Sequence, residues 1–275
     1  MSELLDKMTP AAGGKTVKDV MSNVHSALMK SESLFAKVLP ELLPAKKFAY
    51  ITYTYVRKNK HLWNCTPDSI VAAAMEAAQL GLDFSIRNEC HMVPYSGSAS
   101  FQMGYKGVAK LVLNHPHVQS LFYYAVREGD KFEVTLGAEP NVIHVPSFSD
   151  TPGDYVAFYA VAVDHKGNRI PEVMTVGEVE AWAKRYIKAN NGPFSEVKTK
   201  GRKGENFEAY GLKTVLLRLC NRKLPMSSEL SQAVDQELET EQSKIEQHIG
   251  DEDLWKSIKE EADAKLAGHL EEETR

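Results

Sequence analysis

The sequence predicts an α+β fold in which antiparallel β-sheet and hairpins pack with helices, with a helical N-terminal arm and an acidic helical C-terminal tail. Three observations predict it. Apolar residues recur at helical spacing through the first 80 residues, short alternating segments closed by tight turns fill the stretch from Cys90 to Thr175, and helical patterns return after Thr175. Hairpins grouped together do not fit the strand–helix alternation of a parallel, doubly wound sheet.

Residues 15 to about 60 read as helical. Val17, Val20, Met21, Val24 and Leu28 share one face, and Leu34, Val38 and Leu42 continue the spacing before Pro44. Phe48 to Val56 is ambiguous, because Tyr50-Ile-Thr-Tyr-Thr-Tyr55 favours strand by propensity. Thr66 is a predicted N-cap, with Pro67 at the first helical position and Asp68 near the positive end of the helix. Ile70, Val71, Ala74, Ala77 and Ala78 form its apolar face, and Gly81 ends it. Cys90–Tyr95 and Ala99–Met103 flank a Ser-Gly-Ser turn as a hairpin that leads into a helix over Tyr105–Leu113. Gln119–Arg127 is a strand closed by Glu128-Gly-Asp130, with Lys131–Leu136 returning. Tyr155–Val163 and Arg169–Thr175 flank His165-Lys-Gly-Asn168 as a further hairpin. Thr175-Val-Gly-Glu178 is a capping box opening a helix that carries Trp182, Lys184, Arg185 and Lys188. A Gly/Lys-rich loop, Lys198–Glu205, precedes a helix from about Glu208 to Arg222, which Pro225 stops.

Composition bounds the function classes. A chain of 275 residues with 43% hydrophobic and 25% charged residues is an ordinary globular protein of one or two domains. The expected division is a helical N-terminal arm at 1–60, a core at 61–226 and an acidic tail at 227–275. No run of about 18 apolar residues predicts a membrane span. The N-terminus lacks an apolar signal core, so a cytoplasmic location is expected. Cys65, Cys90 and Cys220 are widely spaced and form no CxxC pair, which argues for core residues in a reducing compartment rather than a disulfide framework or zinc site.

The net charge of −4 hides an asymmetry. Leu224–Arg275 holds 15 acidic and 5 basic residues, net −10, whereas residues 1–223 hold 28 basic and 22 acidic, net +6. Within Lys184–Lys223 stand 11 basic residues against Glu196, Glu205 and Glu208. A surface helix stabilised by ion pairs interleaves both signs. Few acidic residues accompany Lys213, Arg218 and Arg222 on the last core helix, or Lys198, Lys200, Arg202 and Lys203 in the preceding loop. This segment therefore reads as a polyanion-binding surface that neutralises phosphates.

Enzymatic patterns are weaker. Gly13-Gly-Lys-Thr16 imitates the end of a phosphate-binding loop, but Thr9 stands where that loop needs its first glycine, and no apolar strand leads in. His115 and His117 lack metal-ligand spacing, so no protein metal site and no cofactor are expected. Glu196-Val-Lys198, with Asp154 or Asp164 upstream, resembles the carboxylate–lysine set of a metal-dependent nuclease. The pair borders Asn190-Asn-Gly192 and Gly201, a loop composition rather than the strand such a site requires.

The stretch Ser98–Val112, SASFQMGYKGVAKLV, places an aromatic, an amide, a second aromatic and two lysines where a strand meets a helix. Single-stranded nucleic acid is bound by cations along its backbone and aromatic platforms under its bases. Phe101 and Tyr105 are candidate platforms, Gln102 a candidate for a base edge or phosphate, and Gly104 a point of close approach. Lys106 and Lys110 lie one helical turn apart, beside N–H groups at the helix start that favour phosphate oxygens.

Several stretches together resemble the RecT family of phage-encoded single-strand annealing proteins. They are Ala77–Leu82, Phe101–Gly107, Val126–Phe132, His144-Val-Pro146, Asn190–Pro193, Lys213–Leu219 and Leu224–Glu229, whose order and spacing cover roughly residues 60–235. The resemblance implies ATP-independent binding and annealing of single-stranded DNA in recombination, with an annealed duplex intermediate and assembly into rings or helical filaments. It implies a β-sheet core with helices, as in the phage lambda Red beta protein, and turns the Phe48–Val56 segment towards helix. Carried over residue by residue, the DNA groove takes Phe101, Gln102, Tyr105, Lys106, Arg127, Lys213, Arg218 and Arg222. Lys110, Lys184, Arg185, Lys188, Lys198, Lys200, Arg202 and Lys203 are placed by charge. The acidic tail is expected to engage a phage exonuclease or a host single-strand binding protein, Leu254, Trp255, Ile258 and Leu266 supplying an apolar spacing. Magnesium is expected to assist annealing without a protein site. The alternatives are the nuclease and a protein that coats single strands without pairing them.

Overall fold

The computed structural model describes residues 16–186, 197, 200–225 and 231. The chain divides into two compact units, Met1–Val234 and Asp235–Arg275. The second unit, and with it the predicted acidic helix, lies outside the described residues.

The first unit opens with helices. Helix α1 (Val17–Lys30) begins at a reciprocal cap, in which Thr16 Oγ1 accepts from Asp19 N–H and Asp19 accepts from Thr16 N–H, both at 3.2 Å. Its face of Val17, Met21, Val24 and Leu28 is buried. The predicted continuation through Leu34, Val38 and Leu42 is not a helix face. Helix α2 (Glu32–Phe35) ends early and Pro40 interrupts the ladder, leaving these residues 49%, 37% and 96% exposed. Phe35 turns inward instead, edge-on to Phe48 at 5.2 Å. Helix α3 (Ala45–Lys58) absorbs the tyrosine-rich segment: Phe48, Ala49, Thr52 and Val56 are buried at helical spacing, and Thr52 donates its hydroxyl to Phe48 C=O at 3.0 Å. Tertiary burial overrides the strand propensity of this stretch, as the family resemblance implied.

Helix α4 (Pro67–Gln79) follows a 3-10 turn at Lys60–Asn64 and is capped as expected, with Thr66 Oγ1 accepting from Ser69 N–H at 3.3 Å. Strands β1 (Cys90–Tyr95) and β2 (Ser98–Met103) form an antiparallel hairpin whose turn residues, Ser96 and Gly97, have φ of 46° and 82°. That geometry suits the right-handed twist of paired strands. Helix α5 (Tyr105–Leu113) follows directly.

The central sheet has the order β3 (Val118–Arg127), β6 (Tyr155–Asp164), β7 (Arg169–Thr175), all antiparallel. Strands β4 (Lys131–Thr135) and β5 (Asn141–Val145) form a separate hairpin. Strand β5 was not anticipated from the sequence, although Val142, Ile143 and Val145 carry strand propensity. The two faces of β6 have different partners. Phe158 points towards helix α7 (Phe207–Lys223), where a Cβ on Gly211 would meet its ring at 2.4 Å. Ala157, Tyr159 and Val161 join Val126 in a cluster covered by Phe132 and Val142 from the β4–β5 hairpin. Helix α6 (Val176–Tyr186) starts with the predicted capping box: Thr175 N–H donates to Glu178 at 2.9 Å, and Glu178 N–H donates to Thr175 Oγ1 at 3.2 Å.

Helix α7 is the hub. It packs against α5 as well as β6 and β7, and residues from Tyr210 to Leu216 are buried without interruption. A helix covered on several sides shows no clean polar face, which is why a single core-facing stripe did not describe it. No helix among the described residues is long and apolar enough to cross a membrane. The three cysteines are free and buried, and burial pushes the Cys220 thiol up to about 12.

Candidate nucleic-acid interface

The β2–α5 junction is shaped by the loop before β1. Gly104 N–H donates to Glu89 C=O at 2.9 Å and Lys106 N–H to Asn88 C=O at 3.0 Å. A Cβ on Gly104 would meet Asn88 O at 2.1 Å, and one on Gly107 would meet Glu89 O at 2.3 Å. Both glycines thus accommodate the chain's own backbone. The Lys106 N–H, one of the donors expected to face phosphate, is taken by that loop.

The candidate residues of this junction separate by environment. Phe101 is 4% exposed, its ring in the core opposite Met92 in the hairpin register, with no face open to a base. Gln102 is half-buried, and its Oε1 is buried without a hydrogen bond among the described residues. Tyr105 is half-buried, its ring 6.0 Å from Tyr123 of β3 in an edge-on contact. Lys106 is exposed and forms no ion pair among the described residues. Lys110, one turn later, reaches back to Glu89 at 2.7 Å and to Gly81 C=O at 2.8 Å, tying the end of α4 to α5. Its charge neutralises a carboxylate that is 3% exposed. Tyr123 escaped the sequence reading, though the Phe122-Tyr-Tyr124 run on a predicted strand was its signal.

Arg127 lies in a second cluster. Its guanidinium sits 3.9 Å over the Tyr155 ring, donates to Gly153 C=O at 3.0 Å and stands 3.8 Å from Glu208. Burial, then the hydrogen bond to Glu208, holds the Tyr155 hydroxyl up at about 12. Nearby, Asp130 accepts from Ser147 N–H at 2.7 Å, Arg127 N–H at 2.8 Å and the His144 ring at 3.0 Å. Burial opposes its charge, but these bonds outweigh burial and bring its carboxyl down to about 2. His144 also meets Tyr159 Oη at 3.2 Å, so the trio fastens β5 to the sheet.

The basic segment divides in the same way. Lys213 is 5% exposed and partnered, on the buried side of α7. Arg218 is 17% exposed and bridges Glu172 at 2.6 Å and Glu178 at 2.8 Å, while Lys223 meets the other oxygen of Glu172 at 3.0 Å. Arg202 stands 3.5 Å from Glu180 and is 43% exposed. Lys184, Lys200, Lys203 and Arg222 are exposed. Arg185 belongs to α6, its side chain outside the described residues, as are Lys188 and Lys198. The acidic partners that the basic window appeared to lack come mainly from β7 and α6, just upstream of it.

Of the nuclease set, only the upstream carboxylates Asp154 and Asp164 fall within the described residues. Asp164 accepts from Lys166 N–H, Asn168 N–H and the Asn168 side chain at 2.7–2.8 Å, closing the β6–β7 turn. Glu196 and Lys198 lie outside the described residues. Among the described residues no group of three or more His, Cys, Asp or Glu is arranged to hold a metal ion.

Comparison with known proteins agrees with the resemblance seen in the motifs. The RecT family matches residues 46–249. Protein RecT of Escherichia coli (strain K12) is 32% identical over 226 residues, covering 78% of this chain and 79% of that protein. The uncharacterized protein YqaK of Bacillus subtilis (strain 168) is 27% identical over 229 residues, covering 82% of this chain and 74% of that protein. With its motifs in order along an α+β core and a family match spanning most of its length, the chain belongs to the RecT family.

Proposed function

We propose that this protein binds single-stranded DNA and anneals complementary strands in recombination, without ATP and as an oligomer. Membership of the RecT family carries this reading. The structure supports it with Lys106, an exposed cation beside the half-buried Tyr105 where β2 meets α5. Lys184, Lys200, Arg202, Lys203 and Arg222 add exposed positive charge, and Arg185, Lys188 and Lys198 extend the same set in sequence. Phe101, Lys110, Arg127, Lys213 and Arg218 act on the site indirectly, by holding the fold that presents it.

The chemistry is physical rather than covalent. Cations held along the phosphates are blind to sequence, and the incoming strand supplies recognition through its bases. Each correct pair adds stacking energy, so hybridisation itself drives the reaction. Residues 1–60 would serve contacts between subunits, and the acidic tail, repelled by DNA, would engage a phage exonuclease or host single-strand binding protein in the bacterial cytoplasm. Magnesium would act in solution by screening phosphates.

The test uses two complementary dye-labelled oligonucleotides without ATP, over a salt series, with product length checked on a denaturing gel. Full-length strands that pair faster with protein, less so as salt rises, are expected. Shortened strands that require magnesium would replace this reading with the nuclease.

A further inference from the structure

Strand β3 is an edge of the central sheet, since among the described residues it pairs only with β6. Its register places Phe122 opposite Val161 and Tyr124 opposite Tyr159, so both rings project from the face that carries the β4–β5 hairpin. The hairpin covers that face incompletely. Tyr159 is 6% exposed beneath Phe132 and His144, whereas Phe122 is 50% and Tyr124 52% exposed. A single exposed aromatic is ordinary. Two of them at alternate positions on one strand, about 7 Å apart along the chain, form an oriented pair.

Their position links them to the DNA site proposed above. Tyr123, between them in sequence, points to the opposite face and meets Tyr105 at 6.0 Å. The exposed Lys106 is the next residue on α5. Around one sheet edge the fold therefore collects Tyr105 and Lys106 on one side and Phe122 and Tyr124 on the other. The exposed Lys106 beside Tyr105, in a chain whose residues 1–223 carry net +6, favours a polyanion as occupant.

We propose that Phe122 and Tyr124 are base-stacking residues for single-stranded nucleic acid, extending the Tyr105–Lys106 site across the β3 edge. Rings that stand out from a sheet stack bases without regard to sequence. Stacking engages the face of a base and leaves its pairing edge open, which is the requirement for a strand that must be tested by a complement while still bound. This inference rests on the single-strand binding proposed above.

The experiment compares wild type with Phe122→Ala/Tyr124→Ala, and with Phe122→Tyr/Tyr124→Phe as the conservative control. Fluorescence anisotropy is read with a dye-labelled oligothymidine and with an abasic oligonucleotide of equal length, and circular dichroism confirms folding. The alanine pair is expected to bind oligothymidine at least about 25-fold more weakly, from the lower end of stacking energies at two positions. The salt slope and the affinity for the abasic strand should stay as in wild type, and the conservative pair should keep full affinity. Unchanged oligothymidine binding, or an equal loss on the abasic strand, would overturn the stacking role. So would a drop in particle size by light scattering that accounts for the loss, because the rings would then be a contact between copies of the chain. Failure of the wild type to bind either strand would instead overturn the single-strand reading on which this inference rests.

Discussion

Lys106 and Lys110 lie on one helix, a turn apart, and their substitution should have opposite consequences. Lys110 Nζ is 2.7 Å from Glu89 Oε1, and the carboxylate side chain is only 3% exposed. Lys110→Met leaves that carboxylate with the Asp83 N–H at 3.2 Å as its remaining bond among the described residues, and frees Gly81 C=O as well. Breaking a buried ion pair costs roughly 3–5 kcal/mol. The lysine is 38% exposed, so water moderates the loss to about 2 kcal/mol. In a domain of this size that lowers the melting temperature by roughly 4–8 °C. Single-strand affinity of the folded molecules should not change. Lys106→Ala should leave stability within about 0.5 kcal/mol and remove one phosphate contact, lowering the slope of log affinity against log salt by about 0.7. Thermal melts and anisotropy titrations across potassium chloride measure both quantities. A Lys110 variant that melts like wild type but loses salt slope would refute the assignment, as would a Lys106 variant that fails to fold.

Three further outcomes follow from the same geometry. Arg218→Ala leaves Glu172, 4% exposed, with Lys223 as its remaining cation among the described residues, and should cost about 2–4 kcal/mol in a urea titration, whereas Arg222→Ala should be neutral there and weaken DNA binding in low salt. Gly211→Ala drives a methyl group against the Phe158 ring and should cost roughly 1–3 kcal/mol or prevent folding, measured by the same titration. Asp130 ionises at about 2 in the fold against an ordinary 3.8, so its contribution is complete above about pH 4 and is lost as the pH falls towards 2. Between pH 5 and pH 3 the wild type should lose about 1 kcal/mol more than Asp130→Asn; equal losses would show that the His144 trio does not fasten the hairpin.

What the sequence made legible was local. The Thr66 and Thr175 caps, the β1–β2 and β6–β7 turns and the bounds of α5 each depend on residues a few positions apart, and each was found where expected. Contacts between distant elements were not legible. Lys213 and Arg218 look like free cations in a basic window because the partners of Arg218, Glu172 and Glu178, lie outside it, and because α7 is buried on several sides. Gly104 looks like room for a ligand, but it makes room for Asn88 from a loop that sequence spacing does not bring there. Phe101 satisfied both a stacking and a core pattern, and alternation on β2 placed it in the core. The exposure of Phe122 and Tyr124 depends on how far a separate hairpin reaches across the sheet.

Annealing by this protein requires that a bound strand keep its pairing edges open. One labelled strand is saturated with protein, freed of excess, and mixed with its bare complement while energy transfer reports pairing. Pairing is expected to start from the bound strand, faster than between naked strands and faster than that strand dissociates. Pairing that waits for release of the strand, and slows as more protein is added, would contradict it and leave a protein that only coats DNA.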